Sequence, residues 1–215
     1  MKEHRLAIFD LDGTLLDTAQ GIHDAVRYTI EHFSLPSLSE AELDTFIGPP
    51  VQHSFSRFYG LKGEELQEIT NFFRNRYSTA DLFKAAPYDG IFEALSSLKE
   101  RGILIAVATY KREDYAKKLL AEFGFDRYAQ FIFGADNENK LKKSDIIGLC
   151  LKSACITADK AVMIGDSDND AIGANNLGID FVAVTYGFGF HSKQDAEEFH
   201  PFACVDSPRD IPKVI

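Results

Sequence analysis

Apolar residues follow two rhythms along this chain, and the change between them marks its layout. Leu6 to Phe9 form an unbroken apolar run that ends at Asp10, the form of a strand buried on both faces. After the turn "DGT" the period becomes helical, with Ile22, Ala25, Val26, Thr29, Ile30 and Phe33 on one face. "SLPSLSEAEL" breaks that helix, and Ser39 with Glu42 has the form of a capping box opening the next. Val51, Phe55, Phe58 and Tyr59 follow the rigid "GPPV" turn, and Leu66, Ile69, Phe72, Phe73 and Tyr77 mark a further helix. Residues 16–82 carry no strand pattern.

Beyond "APYDG" helix and strand alternate. Helices are expected over 91–101, 113–123, 144–154 and 169–177. Between and after them lie the apolar runs "ILIAVAT" (103–109), "QFIFG", "KAVMIGD", "DFVAVTYG" and a short "FACVD". Near-continuous apolar strands separated by helices indicate a parallel sheet covered on both faces. The pattern predicts an α/β, doubly wound, Rossmann-like parallel-sheet core over residues 1–15 and 83–215. A smaller all-helical cap domain, 16–82, is inserted after the first strand.

The 215 residues suffice for one core with a smaller inserted module. A formal charge of −10, with no Lys/Arg stripe interleaved with aromatics, argues against nucleic acid or an anionic membrane as main partner. A small anionic substrate stays compatible, because a site needs only a few local cations. No apolar run approaches the ~20 residues that span a bilayer, and Asp10 interrupts the N-terminal run before it could form a signal core. Cys150, Cys155 and Cys204 form no CxxC, and Cys150 shares a helical apolar face with Ile146, Ile147 and Leu151. They read as reduced, mostly buried thiols of a cytoplasmic protein, monomer or homodimer.

The polar residues of interest stand at strand ends, where ligands bind in open α/β sheets. Asp10 and Asp12 follow the first strand, Thr109 ends "ILIAVAT", and Asp166 ends "AVMIG" with Ser167, Asp168, Asn169 and Asp170 behind it. Carboxylates gathered at one rim repel unless protons or a cation compensate. A hard divalent ion such as Mg2+, taking carboxylates, waters and phosphate oxygens, is the economical solution. Two aspartates at this spacing can then divide a phosphoryl transfer, Asp10 as nucleophile and Asp12 as acid and base. The hydroxyl of Thr14 or Thr109 can hold phosphoryl oxygens, and "NKLKKSDII" offers Lys140, Lys142 and Lys143 to balance the charge. Lys143, next to the helix start, is favoured. Asp168 and Asn169 read as solvated capping residues.

These residues resemble the motifs of the haloacid dehalogenase superfamily, in its phosphoglycolate-phosphatase-like branch with a helical cap of the first type. "DLDGT" at 10–14 is similar to the first motif, "VATYK" at 107–111 to the second through Thr109, Lys143 to the third, and "GDSDND" at 165–170 to the fourth through Asp166. The match runs in order over essentially the whole chain. It implies a Mg2+-dependent phosphoric monoester hydrolase acting on a phosphoglycolate-like ester, a nucleotide or pyrophosphate. It also implies metal contacts from Asp10, Asp12 (by its backbone carbonyl), Asp166 and Asp170, and a phosphate pocket involving Gly13, Thr14 and Lys111. Tyr110 stands where a small polar residue is expected.

A carboxylate at position 12 disfavours the dehalogenating and phosphonate-cleaving branches. A hexose phosphomutase keeps both aspartates and is the near alternative. Its cap histidine would correspond to His23, which is displaced by one residue, a rotation of ~100° on a helix. A receiver-like phospho-accepting module is the alternative from another class, though such modules are shorter and lack the insert. Substrate choice is expected to lie with the cap, through Pro49 and Pro50 in "GPPVQHSF" and basic residues such as Arg57, Arg74 and Arg76. Hinges near 15–18 and 82–88 would let the cap open and close.

Overall fold

The computed structural model describes residues 3–136 and 140–215. The core sheet has six strands: β1 (Leu6–Phe9), β4 (Leu104–Arg112), β5 (Phe131–Ala135), β6 (Ala161–Gly165), β7 (Asp180–Val184) and β8 (Ala203–Val205). All pair in parallel, in the order β5-β4-β1-β6-β7-β8. Helices α5 (Ile91–Glu100), α6 (Glu113–Glu122), α7 (Lys143–Ala154) and α8 (Asp168–Asn175) link successive strands, and short α9 (Lys193–Glu197) and α10 (Ile211–Val214) complete the C-terminal part. Leu6, Ile8, Ala106, Ala108 and Met163 face Ile146, Ile147 and Cys150 of α7 in one fully buried cluster. The apolar strands exist because both faces of this sheet are covered.

Register explains why polar residues from distant segments meet. Phe9 sits opposite both Val107 and Ile164, so Asp10, Thr109 and Asp166 lie one or two residues beyond a single row of the sheet. Asp10 makes the last step, its N–H donating to the Ile164 carbonyl at 2.9 Å.

The chain divides into two compact units, Met1–Asp17 with Pro87–Ile215, and Thr18–Ala86. The second is helical: α1 (Ala19–His32), α2 (Glu40–Asp44), α3 (Val51–Tyr59), α4 (Gly63–Arg76) and a π-helical turn, Tyr77–Asp81. Ile22, Val26, Ile30, Phe55, Ile69 and Phe73 are buried within it. Ser39 and Glu42 form the expected capping box on α2. Pro50 is the N-cap of α3, a position suited to its fixed φ.

Three expectations need correction. A two-residue strand, Leu16–Asp17 (β2), pairs with Ala86–Pro87 (β3), where the sequence carries no strand pattern; two residues are too few to show a period. β4 does not stop at Thr109 but runs to Arg112, with its register against β5 shifting between Ala108 and Arg112. Such a bulge lets a strand leave regular pairing and still deliver side chains to a rim. Finally, all three cysteines are free thiols, but only Cys150 is buried; Cys155 is exposed and Cys204 half-buried. Cys155 closes α7 in the left-handed region (φ 55°), which puts it at a helix end rather than on the apolar face.

Candidate active site

Asp10, Asp12, Thr14, Thr109, Lys143, Asp166 and Asp170 are all buried. Burying so many charges is tolerable only if each is paired or bonded, and the pairing is specific. The Lys143 ammonium lies 2.7 Å from Asp10 Oδ1 and 2.6 Å from Asp170 Oδ1. Lys143 is buried, whereas Lys140 and Lys142 of the same segment are exposed. Asp12 points elsewhere: its Oδ1 meets the Lys111 ammonium at 2.9 Å, with both side chains nearly buried.

Asp166 is held by a loop that sequence reasoning missed. The N–H groups of Phe188 and Gly189 both donate to its Oδ2, at 2.8 and 3.1 Å, while the Thr14 hydroxyl lies 3.5 Å from Oδ1. Thr14 therefore faces Asp166. Gly187 permits the close approach, since a Cβ there would lie 2.3 Å from the Gly13 carbonyl oxygen and 2.6 Å from Asp166 Oδ2. Gly13 itself turns the chain with φ +83°, a region that costs glycine nothing. Tyr186 completes the tie by donating its hydroxyl to the Thr14 carbonyl at 3.1 Å. The signal available beforehand was the glycine pair in "YGFGF", placed directly after an apolar strand.

Asp170 does two things at once. Its Oδ2 accepts from the Ser167 N–H and hydroxyl at 3.1 and 2.7 Å, capping α8, and its other oxygen meets Lys143. Asp168 is solvent-exposed as expected, but it is the first residue of α8 and not its cap: Ser167 is the N-cap and Asp170 closes the box. The Thr109 hydroxyl accepts from the Lys111 N–H at 3.1 Å, which leaves its proton free to donate. Pro49 and Pro50 belong to the helical unit, as does His23, whose Nε2 lies 3.1 Å from Asp44 Oδ1. In the same unit Arg76 is bound to the buried Asp81 carboxylate at 2.6 Å and covers the Tyr28 ring, so this arginine is a structural residue.

Asp10, Asp166 and Asp170 each offer an oxygen, and the three oxygens lie within 4.8 Å of one another. Among the described residues, Lys143 is paired with two of these three carboxylates, Asp10 and Asp170. The deficit shows in proton affinity: burial, opposed by Lys143 and reinforced by Asp170, Asp166 and Asp12, pushes the Asp10 carboxyl up to about 8. Burial and Asp170 push Asp166 to about 7 against the two loop N–H groups. Burial disfavours the Lys143 charge, but Asp10 and Asp170 outweigh it, and its affinity for a proton rises. A cluster of buried oxygen donors short of positive charge fits a hard divalent cation.

A family model described as haloacid dehalogenase-like hydrolase matches residues 7–184. The chain belongs to this family. Among its relatives, a 5'-nucleotidase of Pseudomonas aeruginosa is 33% identical over 192 residues, covering 89% of this chain and 87% of that one. A phosphoglycolate phosphatase of Agrobacterium fabrum is 33% identical over 191 residues, covering 85% and 81%. Tyrosine-protein kinase PtkA of Mycobacterium tuberculosis is 36% identical over 186 residues, but these make up only 63% of that protein against 86% of this one. The crystal structure of a predicted phosphatase from Clostridium acetobutylicum superimposes with a TM-score of 0.91 at 34% identity, covering 98% of this haloacid dehalogenase-like chain and 97% of the other. The chain is thus a phosphatase-type hydrolase of this family, and the receiver-module alternative is set aside.

Proposed function

We propose that this hydrolase cleaves a small phosphate ester (phosphoglycolate-like or a nucleotide) or pyrophosphate, using Mg2+ and an aspartyl-phosphate intermediate on Asp10. The observation that carries the reading is the division of two neighbouring aspartates: Asp10 lies in the carboxylate cluster against Lys143, and Asp12 is drawn out of it by Lys111. One acid can then attack while the other handles protons. An Asp10 oxygen bonds to phosphorus as the ester P–O bond breaks, and Asp12 gives a proton to the departing oxygen. Water next gives a proton to Asp12 while its oxygen bonds to phosphorus, the Asp10–phosphorus link breaks, and inorganic phosphate leaves. Asp10, Asp166 and Asp170, with the Asp12 carbonyl, would hold the metal, which neutralises phosphate charge beside an anionic nucleophile. Lys143 balances charge at Asp10, and the Thr109 hydroxyl and Lys111 receive phosphoryl oxygens beside the Gly13–Thr14 turn. Pro49 and Pro50 are assigned to substrate selection.

Asp10→Asn is expected to reduce release of phosphate from p-nitrophenyl phosphate by at least about a thousandfold with the fold retained. Full activity, with deamidation excluded by mass spectrometry, removes Asp10 as nucleophile. A panel of phosphoglycolate, nucleoside monophosphates and pyrophosphate then ranks substrates by kcat/KM. Incubation with hexose 1- and 6-phosphates tests the mutase alternative and its candidate residue His23. Transfer from ATP to a tyrosine peptide belongs in the same panel because of the kinase-named relative.

A further inference from the structure

Tyr110 is the residue that the phosphatase reading leaves unexplained. A large aromatic ring stands beside Thr109 at the sheet rim, half-buried, packed against the cluster that includes Ile146 and Ile147 of α7. Its hydroxyl oxygen accepts from the backbone N–H of Lys143 at 2.9 Å. Its ring centroid lies 5.5 Å from the ammonium nitrogen of the same lysine. One side chain thus touches both ends of Lys143.

The two contacts solve different problems. Lys143 is the first residue of α7, where backbone N–H groups have no partner within the helix; a phenol oxygen satisfies this one inside the protein. The ammonium must stay between Asp10 and Asp170 at 2.7 and 2.6 Å, although a lysine stem has four rotatable bonds. An aromatic face within ~6 Å attracts a cation and restricts where it can go. We propose that Tyr110 is a positioning residue: by capping α7 at Lys143 and presenting its ring to the ammonium, it fixes the charge that serves Asp10. The proposal rests on the phosphatase reading for its kinetic consequence, but not for its structural one.

Two variants separate the contacts. Tyr110→Phe keeps the ring and loses the acceptor; it is expected to lower kcat for p-nitrophenyl phosphate about three- to tenfold, with KM nearly unchanged. Tyr110→Leu loses both and is expected to cost roughly ten- to a hundredfold in kcat. A ring below the ammonium also shifts its proton resonances upfield, so in nitrogen-15-labelled protein the Lys143 ammonium signal, assigned with Lys143→Met, should move downfield in Tyr110→Leu and stay close to its wild-type position in Tyr110→Phe. An unmoved signal in Tyr110→Leu overturns the proposal, whatever the enzyme's activity. So does a KM that rises while kcat holds, which would put Tyr110 against substrate instead. Absence of phosphatase turnover in the wild type, with the expected resonance shift, would sink the functional reading and leave the positioning intact.

Discussion

Asp10 and Asp12 carry the same side chain two residues apart and are equally buried, yet each faces a different lysine and a different number of carboxylates. Asp10 shares Lys143 with Asp170 and crowds Asp166, whereas Asp12 has the Lys111 ammonium at 2.9 Å. Lys111 is the one that a substrate phosphate would have to share with Asp12. Lys111→Met is therefore expected to raise KM for phosphate esters about tenfold or more, because a nearly buried ammonium forms strong charge-assisted bonds to phosphate; steady-state kinetics checks this. Gly187 is decisive at the same scale for a steric reason. Gly187→Ala would put a methyl group into the Gly13 carbonyl and the Asp166 carboxylate. Calorimetric titration with Mg2+ should show weaker binding than wild type, roughly ten- to a hundredfold, as when a partner that orients a metal ligand is lost. Unchanged Mg2+ affinity would mean that the loop does not orient Asp166.

At the scale of elements, the site depends on how closely α7 and α8 pack. Gly173 of α8 lies against α7, where an added Cβ would come within 2.9 Å of both the Lys143 Cγ and the Ile147 Cδ1. Ile147 can swing its terminal methyl away, but the Lys143 stem is fixed at its backbone by Tyr110 and at its head by two carboxylates. Gly173→Ala is therefore expected to lower kcat while changing the melting temperature little, since alanine favours the helix by up to ~1 kcal/mol and offsets part of the crowding. Parallel kinetics and thermal melts test the separation. The helical unit shows a comparable internal economy. Its π-helical turn brings the fully buried Asp81 between Arg76 and Lys84, at 2.6 and 2.8 Å, and such turns were not visible as a hydrophobic period.

For the whole molecule the carboxylate cluster links metal, pH and stability. Burial and mutual repulsion push the Asp10 and Asp166 carboxyls up to about 8 and about 7 in the folded chain, from about 4 when unfolded. Between those values the native state holds protons that the unfolded state has released, so stability from these groups is present at low pH and lost as pH rises toward 8. Metal-free protein should accordingly lose melting temperature from pH 5 to 8, and less steeply as Asp166→Asn. On the proposed reading Mg2+ would bind the ionised native cluster, so its stabilising effect should be larger at pH 8 than at pH 6. Thermal melts with EDTA or Mg2+ across that range test the sign; a metal-free curve rising with pH, with no difference in Asp166→Asn, contradicts it.

The sequence alone determined the α/β class, because period and run length are local properties of a buried strand or an amphipathic helix. It also singled out Asp10, Asp12, Asp166 and Thr109, because each follows an apolar run that has to end at a rim. Tertiary structure decided what those patterns cannot encode. It buried Lys143 and left Lys140 and Lys142 exposed, gave Asp170 both a helix cap and an ion pair, and turned the "YGFGF" backbone onto Asp166. Those outcomes depend on distances between segments far apart in the chain, and on backbone N–H groups that every residue type but proline possesses. A one-dimensional pattern can favour Lys143 or mark the glycines of that loop, but the contacts themselves exist only once the sheet has set its register.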